Sequence, residues 1–565
     1  MRQKRGNYKT MEEYFYEKQR FPLERDAEMM KVYCHIDGLD KVRTLLLDAI
    51  LNQQKICVFG DYDCDGITAA AQTYLLIWRI YNTYHSMSLD TMIMTAASFG
   101  VQMRNPEGFL SSNAPKITLP YIPGRFSEGY GIKESSFDQM DCDLLITVDN
   151  GISAYDAMEK AKQKGIRTII LDHHIAPHGM PCADVVIDPE ADPQTADFAG
   201  YCGSGLVFKL AEYILPEDKR LHTILSAFAA LGTIADLVPV TGDNRRIIKT
   251  GLRALNERQT LPGISLLASS MEPGIIGTET ASFKLAPAVN ASGRLYDRGG
   301  EQTLQALLGS SPNLITALLD ANTKRKTLVS VAYQQIAPLL LESEPFYFVR
   351  YQRPDGIDVS GIMGLLAGKI VEAKGKPAFC FTEKNGICHG SARSDDENAN
   401  NVYNMLFLAK DHLLTFGGHA GAAGFTFASK DMNAVKNAML QYQVKPHEEP
   451  GYDFDLNPED AEKALALMDR MEPFGKNMER PVFRVKAHFT GDQWWQPVSR
   501  NEDTENIRFY IPCGAKSLQA VGFGLQRKYR EDREPKDLYL YGTLSWNEFR
   551  GNRSPQFLLD GYDIL

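Results

Sequence analysis

KICVFGDYDCDGITAAA, residues 55–71, runs from four apolar positions into Asp61, Asp63 and Asp65, then through Gly66 into small helix-forming residues. The pattern is that of a buried strand feeding a helix, with acids at the strand's carboxyl end. The same theme returns three times. DLLITVDNG (143–151), GIRTIILDHH (165–174) and ADVVIDP (183–189) are Val- and Ile-rich runs that each end in an acid, and helical stretches such as AYDAMEKAKQKG (154–165) separate them. Near-continuous apolar strands alternating with helices predict an α/β fold around a parallel sheet buried on both faces. In an open sheet of that kind ligands bind outside the carboxyl ends of the strands. Acids delivered there mark the candidate site.

Outward from this core, residues 1–40 are charged and aromatic and read as an N-terminal arm with a helix. The β-α pattern fills 41–311. Residues 312–344 include a run with no Pro or Gly between Asn313 and Ala337, whose apolar spacing suits one long connecting helix. A second α/β segment covers 345–445, and short strand-like runs over 450–565 predict a small β-barrel or sheet domain. The chain's 565 residues suit three or four domains at roughly 100–200 residues each. A net charge of −10 argues against coating nucleic acid by bulk electrostatics, so a nucleic-acid partner would need a local basic channel or metal ions. Nine cysteines without a Cys-x-x-Cys pair read as reduced thiols of a cytoplasmic protein. The N-terminus lacks the apolar segment of a signal peptide, and no run approaches the ~18 apolar residues of a membrane span. Nothing in the sequence suggests an obligate oligomer, so a monomer is expected.

Carboxylates two apart on an extended segment point to one side, so Asp61, Asp63 and Asp65 would repel one another unless cations neutralise them. A single Asp after a strand is usually a helix cap, but three at this spacing are harder to read as a polar turn. Asp149 arrives on a second strand, in an Asp-Asn-Gly sequence that is also an ordinary turn. Asp172, His173 and His174 end a third, and without context the two imidazoles would read as exposed loop residues. Asp236, in the apolar stretch FAALGTIADLVP, needs a partner: a cation, or a guanidinium such as that of Arg245 or Arg246. Together the four sites offer oxygen-rich ligation with one or two imidazoles, which suits two Mn²⁺ or Mg²⁺ ions better than structural Zn²⁺. That chemistry is hydrolysis of a phosphodiester or pyrophosphate.

In this order and at these intervals, DYDCDG (61–66), VDNG (148–151), LDHH (171–174) and GTIADLVP (232–239) resemble the four signature motifs of the DHH phosphoesterase superfamily. YIPGRFSEGYG (121–131), APAVNASGRL (286–295), GSARS (390–394), GGHAGAAGF (417–425), EPFGKNMERPVF (472–483) and GTLSWNEFRGNRSPQFLLD (542–560) are similar to its RecJ family of single-strand DNA exonucleases. The resemblance implies a parallel-sheet DHH domain, a long helix, a DHH-associated α/β domain and a C-terminal OB-like barrel. It makes Asp63, Asp65, Asp149, His173 and Asp236 the metal ligands, and puts Asp61, Asp172 and His174 beside them or against the phosphate. A 5′-phosphate pocket falls on Arg125, Ser391 and Arg393, where guanidinium forks and a hydroxyl suit a terminal phosphate. Gly417 and Gly418 would let backbone approach a phosphate, with His419 polarising it. Arg294, Asn322, Arg325 and Lys326 would follow the strand.

In the C-terminal domain Trp494, Trp495, Phe509, Tyr510, Tyr541, Trp546 and Phe549 are interleaved with Arg500, Arg508, Arg527, Arg550 and Arg553. Stacking on aromatic rings with cations along the backbone is the single-strand binding pattern, although about half of these rings are expected inside the barrel. Two departures stand out. Phe59 occupies a position where some superfamily members carry a histidine, which leaves the metal site one ligand poorer or asks Asp61 to compensate. Residues 82–118 read as an insertion with no functional assignment. The implied activity is 5′→3′ hydrolysis of single-stranded DNA to mononucleotides in repair or recombination, with a helicase or single-strand-binding protein as partner. The alternatives are a hydrolase of short oligoribonucleotides, cyclic dinucleotides or pyrophosphate, and a non-catalytic replication scaffold.

Overall fold

A computed structural model describes the chain apart from residues 1, 7, 21, 26–33, 139, 177, 272–273, 447–450, 491–493, 499–505, 515 and 550–551. The chain divides into two compact units, one of residues 34–238 with 247–447 and one of residues 1–33, 239–246 and 448–565.

In the first unit, β1 (Ile56–Phe59), β2 (Leu144–Val148), β3 (Arg167–Leu171) and β4 (Val185–Ile187) form a parallel sheet in the order β1-β2-β3-β4. Every residue of β2 is buried, as the near-continuous apolar run requires of a strand covered on both faces. The register aligns Val148 with Leu171 and Leu171 with Ile187. The acids that follow, Asp149, Asp172 and Asp188, therefore leave the sheet at one level. Three helices pack nearby: α1 (Cys64–His85), α2 (Gly203–Ile214) and α3 (Lys219–Ala235). Small residues allow the close approach. A Cβ on Gly60 would lie 2.9 Å from that of Ala70. Helix α4 (Ala286–Leu295) follows. Residues 82–118 finish α1 and fold back as helices Leu89–Ser98 and Pro106–Leu110, with buried Phe109 edge-on to Tyr81.

Helix α5 (Pro312–Ile336) runs for 25 residues from a Pro in its first turn, where a missing N–H is harmless. It leads to a five-stranded sheet in the order β5-β6-β7-β9-β8, built from β5 (Tyr347–Arg350), β6 (Ala378–Lys384), β7 (Ile387–Arg393), β8 (Thr415–Gly418) and β9 (Ala422–Ala428). Only β5 and β6 run parallel; the remaining pairs are antiparallel. Helix α6 (Met363–Lys374) packs on it and ends at Gly375 in the left-handed conformation.

The second unit holds a seven-stranded sheet whose longest strands, Asp537–Phe549 and Asn552–Ile564, pair antiparallel. The N-terminal residues belong to this unit. Helix Met11–Gln19 sets Tyr14 Oη on the Glu479 carbonyl at 2.9 Å, and Arg5 grips Asp453 at 2.6 Å. Among the described residues no helix is long and apolar enough to cross a membrane.

Candidate metal and phosphate site

Strand β1 ends at Phe59 and α1 begins at Cys64, so the acids of residues 61–65 do not share one extended face, as alternation predicts. The physical reason is the cap. Asp63 accepts from the Gly66 N–H at 3.1 Å and starts the helix, which swings Asp65 into its first turn. The acids consequently divide. Ligand atoms of Asp61, Asp63 and Asp149 lie within 4.8 Å of one another, as do those of Asp65, His173 and Asp236, and those of Asp149, His173 and His174. Asp149 follows β2 with φ +60°, a left-handed conformation that Asp tolerates through its short polar side chain. Asp236 is the C-cap of α3. Two glycines permit the approach of the helices to the acids. A Cβ on Gly203 would sit 2.7 Å from Asp149 Cβ, and one on Gly232 would sit 2.6 Å from Asp65 Oδ1.

His173 Nε2 lies 3.0 Å from Asp149 Oδ1, 3.7 Å from Asp65 Oδ2 and 3.7 Å from Asp236 Oδ2. Burial, with His174 adding, drives the His173 pKa down to about 3, so its imidazole is neutral at physiological pH. Burial and then neighbouring acids push Asp61 and Asp149 well above the usual carboxylate range. The same causes raise Asp65 to about 6, although the N–H groups of Gly203 (2.7 Å) and Ser204 (2.9 Å) favour its charged form. His174 behaves oppositely. Burial would lower it, but its hydrogen bond to Asp172 (Nδ1 to Oδ1, 2.7 Å) and that residue's charge prevail and raise it to about 9. Asp172 also accepts from the N–H groups of Ile152 (2.9 Å) and His173 (2.8 Å), and despite burial it is held below the usual range. Asp172–His174 is thus a hydrogen-bonded ion pair beside the cluster of acids.

The residues present fit divalent cations. Buried carboxylates around a neutral imidazole are costly without positive charge, and Asp61 Oδ1 is buried with no hydrogen-bond partner. Oxygen-rich sets with few imidazoles suit Mn²⁺ or Mg²⁺. Phe59, buried and stacked 5.4 Å from Tyr121, offers no ligand.

Guanidinium groups gather next to the acids. Arg125 lies over the Tyr62 ring at 4.5 Å, and its charge is felt at Asp61. Burial lowers Arg294 to about 9, with Arg125 and Arg393 adding to the fall and Asp63 opposing it. Burial and Arg125 likewise lower Arg393. Ser391 and Arg393 sit two apart on β7 and share a face. Gly364 of α6 leaves room for them, since a Cβ there would be 2.9 Å from the Arg393 guanidinium. Arg325 donates Nε and Nη2 to buried Asn322 at 3.1 and 2.9 Å, while Lys326 is exposed. His419 is exposed in the β8–β9 turn beside Gly417 and Gly418, and its charge reaches His173. Arg246 pairs with Asp243 at 2.5 Å, and Arg245 donates to the Glu472 and Pro473 carbonyls.

Sequence reasoning missed three contributors. The N–H groups of Gly203 and Ser204 carry no side-chain signature, although YCGSG (201–205) hints at a backbone approach. Tyr130 Oη lies 3.3 Å from His174 Nδ1 and 3.4 Å from the Asp149 carbonyl. Tyr62 is the platform under Arg125.

In the second unit Phe509 and Tyr541 are fully buried and belong to the core. Lys536 lies 4.2 Å over Trp494, Arg530 lies 5.6 Å over Trp495, and Arg553 lies 4.1 Å over Trp546. Tyr510 is half-buried. Arg527 pairs with Glu531 at 2.9 Å, and Arg508 Nε is buried without a partner. Arg500 and Arg550 lie outside the described residues, as does the side chain of Phe549.

Residues 55–233 match the family model of the DHH family, N-terminal domain, residues 347–445 that of the DHHA1 domain, and residues 452–561 that of the RecJ OB domain. The chain is 28% identical to the single-stranded-DNA-specific exonuclease RecJ of Bacillus subtilis, over 95% of this chain and 64% of that protein. It is 27% identical to that of Haemophilus influenzae, over 95% and 92%. The chain thus spans under two thirds of the first relative and nearly all of the second. Its fold is shared with RecJ in complex with Mn²⁺ from Thermus thermophilus (TM-score 0.75, 23% identity, 97% of this chain and 75% of that one). Exonuclease RecJ bound to manganese is also similar (TM-score 0.55, 27% identity, 72% and 94%).

Proposed function

Since this chain belongs to the DHH family and carries the DHHA1 and RecJ OB domains behind it, we propose that it is a metal-dependent 5′→3′ exonuclease that hydrolyses single-stranded DNA to mononucleotides. The observation that carries this reading is the pairing of two charge sets at one place: buried acids around His173, and the guanidinium groups of Arg125, Arg294 and Arg393, where Arg125 and Arg393 add to the lowering of Arg294 and Arg125 adds to that of Arg393. The first set takes cations and the second takes an anion. A terminal phosphate fits the second while the adjacent phosphodiester lies over the first.

In this reading Asp63, Asp65, Asp149, His173 and Asp236 hold Mn²⁺ or Mg²⁺, with Asp61 at their edge. Held there, two such ions would supply a water nucleophile of lowered pKa and positive charge for the attacking and leaving oxygens of a phosphoryl displacement. His173 serves as a neutral ligand because burial keeps it unprotonated. Asp172 fixes the orientation of His174, whose imidazolium offsets negative charge developing on the phosphate. Arg125, Ser391 and Arg393 receive the 5′-phosphate. Arg294, Asn322 and Arg325 steady the next nucleotides, and the backbone at Gly417 and Gly418 brings His419 to the scissile phosphate.

We take residues 41–311 as the catalytic domain, 312–344 as its connection, 345–445 as the DHH-associated domain and 450–565, to whose unit the N-terminal residues belong, as the strand-binding domain. Trp494, Trp495 and Trp546, each with a cation over the ring, are its stacking platforms. A monomer in the cytoplasm, supplied with single strands by a helicase or a single-strand-binding protein, fits this activity and the nine free thiols. The test uses end-labelled single strands, duplexes and dinucleotides with Mn²⁺. Mononucleotide release from the 5′ end of single strands, abolished by EDTA, supports the reading; turnover confined to dinucleotides overturns it.

A further inference from the structure

Beneath the acid cluster three fully buried polar side chains meet between helices that could have packed with apolar ones: Thr68 and Gln72 of α1 and Ser204 of α2. Gln72 Nε2 donates to Ser204 Oγ at 2.6 Å and to the Ser204 carbonyl at 3.0 Å. Thr68 Oγ1 lies 3.0 Å from Ser204 Oγ, which in turn lies 3.3 Å from the Phe228 carbonyl of α3. All three are closed off from solvent. Gln72 Oε1 is buried without a partner, so the network is a poor way to stabilise a helix interface as such.

Its effect is geometric. It pins the first turn of α2, whose Gly203 and Ser204 N–H groups hold the two oxygens of Asp65 at 2.7 and 2.9 Å. Helix α3 closes the third side, where a Cβ on Gly232 would meet Ser204 Cβ at 2.5 Å and Asp65 Oδ1 at 2.6 Å. We infer that Gln72 and Ser204 are positioning residues of the metal centre, which lock the α2 N-terminus onto Asp65 so that its carboxylate faces His173 and Asp236. This rests on the proposed metal centre.

The test is calorimetric Mn²⁺ titration of the full chain and of Gln72→Met and Ser204→Ala, with the thermal midpoint of each metal-free protein measured alongside. Gln72→Met removes both donated bonds and the unpartnered carbonyl at similar volume, so its metal-free midpoint should hold. Both variants should bind Mn²⁺ about ten- to a hundredfold more weakly, the usual effect of removing a group that orients a ligand. Wild-type and variant affinities within twofold of each other overturn the inference and leave the metal centre standing, whatever happens to the midpoints. Absence of Mn²⁺ binding by the wild-type chain overturns the metal centre and the inference together.

Discussion

At the scale of single residues the site is a contest between burial and charge, and Asp149 shows its sign. Its folded-state pKa lies well above the unfolded value near ~3.9, because burial and neighbouring acids disfavour the anion. An acid raised in this way supports folding below the unfolded pKa and loses that support as pH rises through the folded pKa. Each pH unit separating the folded and unfolded pKa values is worth about 1.4 kcal/mol. Without metal, Asp149→Asn should therefore be more stable than wild type at pH 8, and the advantage should vanish as pH falls towards 4. Asn also suits the left-handed backbone at this position. Adding Mn²⁺ at pH 8 should reverse the order, since only the wild-type carboxylate gains a cation. Parallel melting curves at the two pH values, with and without Mn²⁺, check this; a variant that is never the more stable refutes it. Activity should be lost in Asp149→Asn throughout. At the phosphate end, Arg393→Ala should raise KM for 5′-phosphorylated strands by about ten- to a hundredfold, from a charge-assisted bond worth roughly 1.5–3 kcal/mol. It should leave 5′-hydroxyl strands nearly unchanged, as paired KM measurements would show.

At the scale of elements, the sheet was legible because four apolar runs each ended in an acid, and the aligned register delivers those acids at one level. What the sequence did not reveal was the division of labour among Asp61, Asp63 and Asp65. Alternation assumes an extended chain, whereas the Asp63 cap starts a helix within it. Nor could it show that the N-terminus of α2 supplies donors to Asp65, because backbone N–H groups look alike in every sequence. The glycines record that contact indirectly. Gly203→Ala would put a methyl 2.7 Å from Asp149 Cβ and 3.0 Å from its Cα, neither of which can yield as a flexible side-chain end could. Helix α2 must then retreat, taking its N–H groups off Asp65. The expected result is a stability loss of about 1–3 kcal/mol, typical of overpacking, with a fall in turnover beyond a hundredfold. Denaturant titration beside a nuclease assay measures both, and retained turnover would show that α2 does not set the acid geometry.

At the scale of the whole molecule, the sequence suggests an N-terminal arm, but the described residues among 2–25 belong to the unit that contains the C-terminal sheet. No local pattern announces this, since the contacts join positions more than 400 residues apart: Arg5 to Asp453 at 2.6 Å, and Tyr14 Oη to the Glu479 carbonyl at 2.9 Å. Residues 239–246 join the same unit, with Gln19 Nε2 on the Val240 carbonyl at 3.2 Å. Phe15 is fully buried on helix Met11–Gln19, with the buried Arg245 guanidinium 5.0 Å from its ring. Phe15→Ala should accordingly cost about 3–5 kcal/mol in this unit, the usual penalty for emptying a buried aromatic site. A calorimetric scan should show an earlier transition for the unit. Single-strand affinity, read by fluorescence anisotropy in EDTA, should fall as Trp494, Trp495 and Trp546, the proposed stacking platforms, lose their support. Mn²⁺ affinity should stay within twofold, because the acids belong to the other unit. An appendage would behave differently: trimming Phe15 would then leave both the scan and the strand affinity where they were.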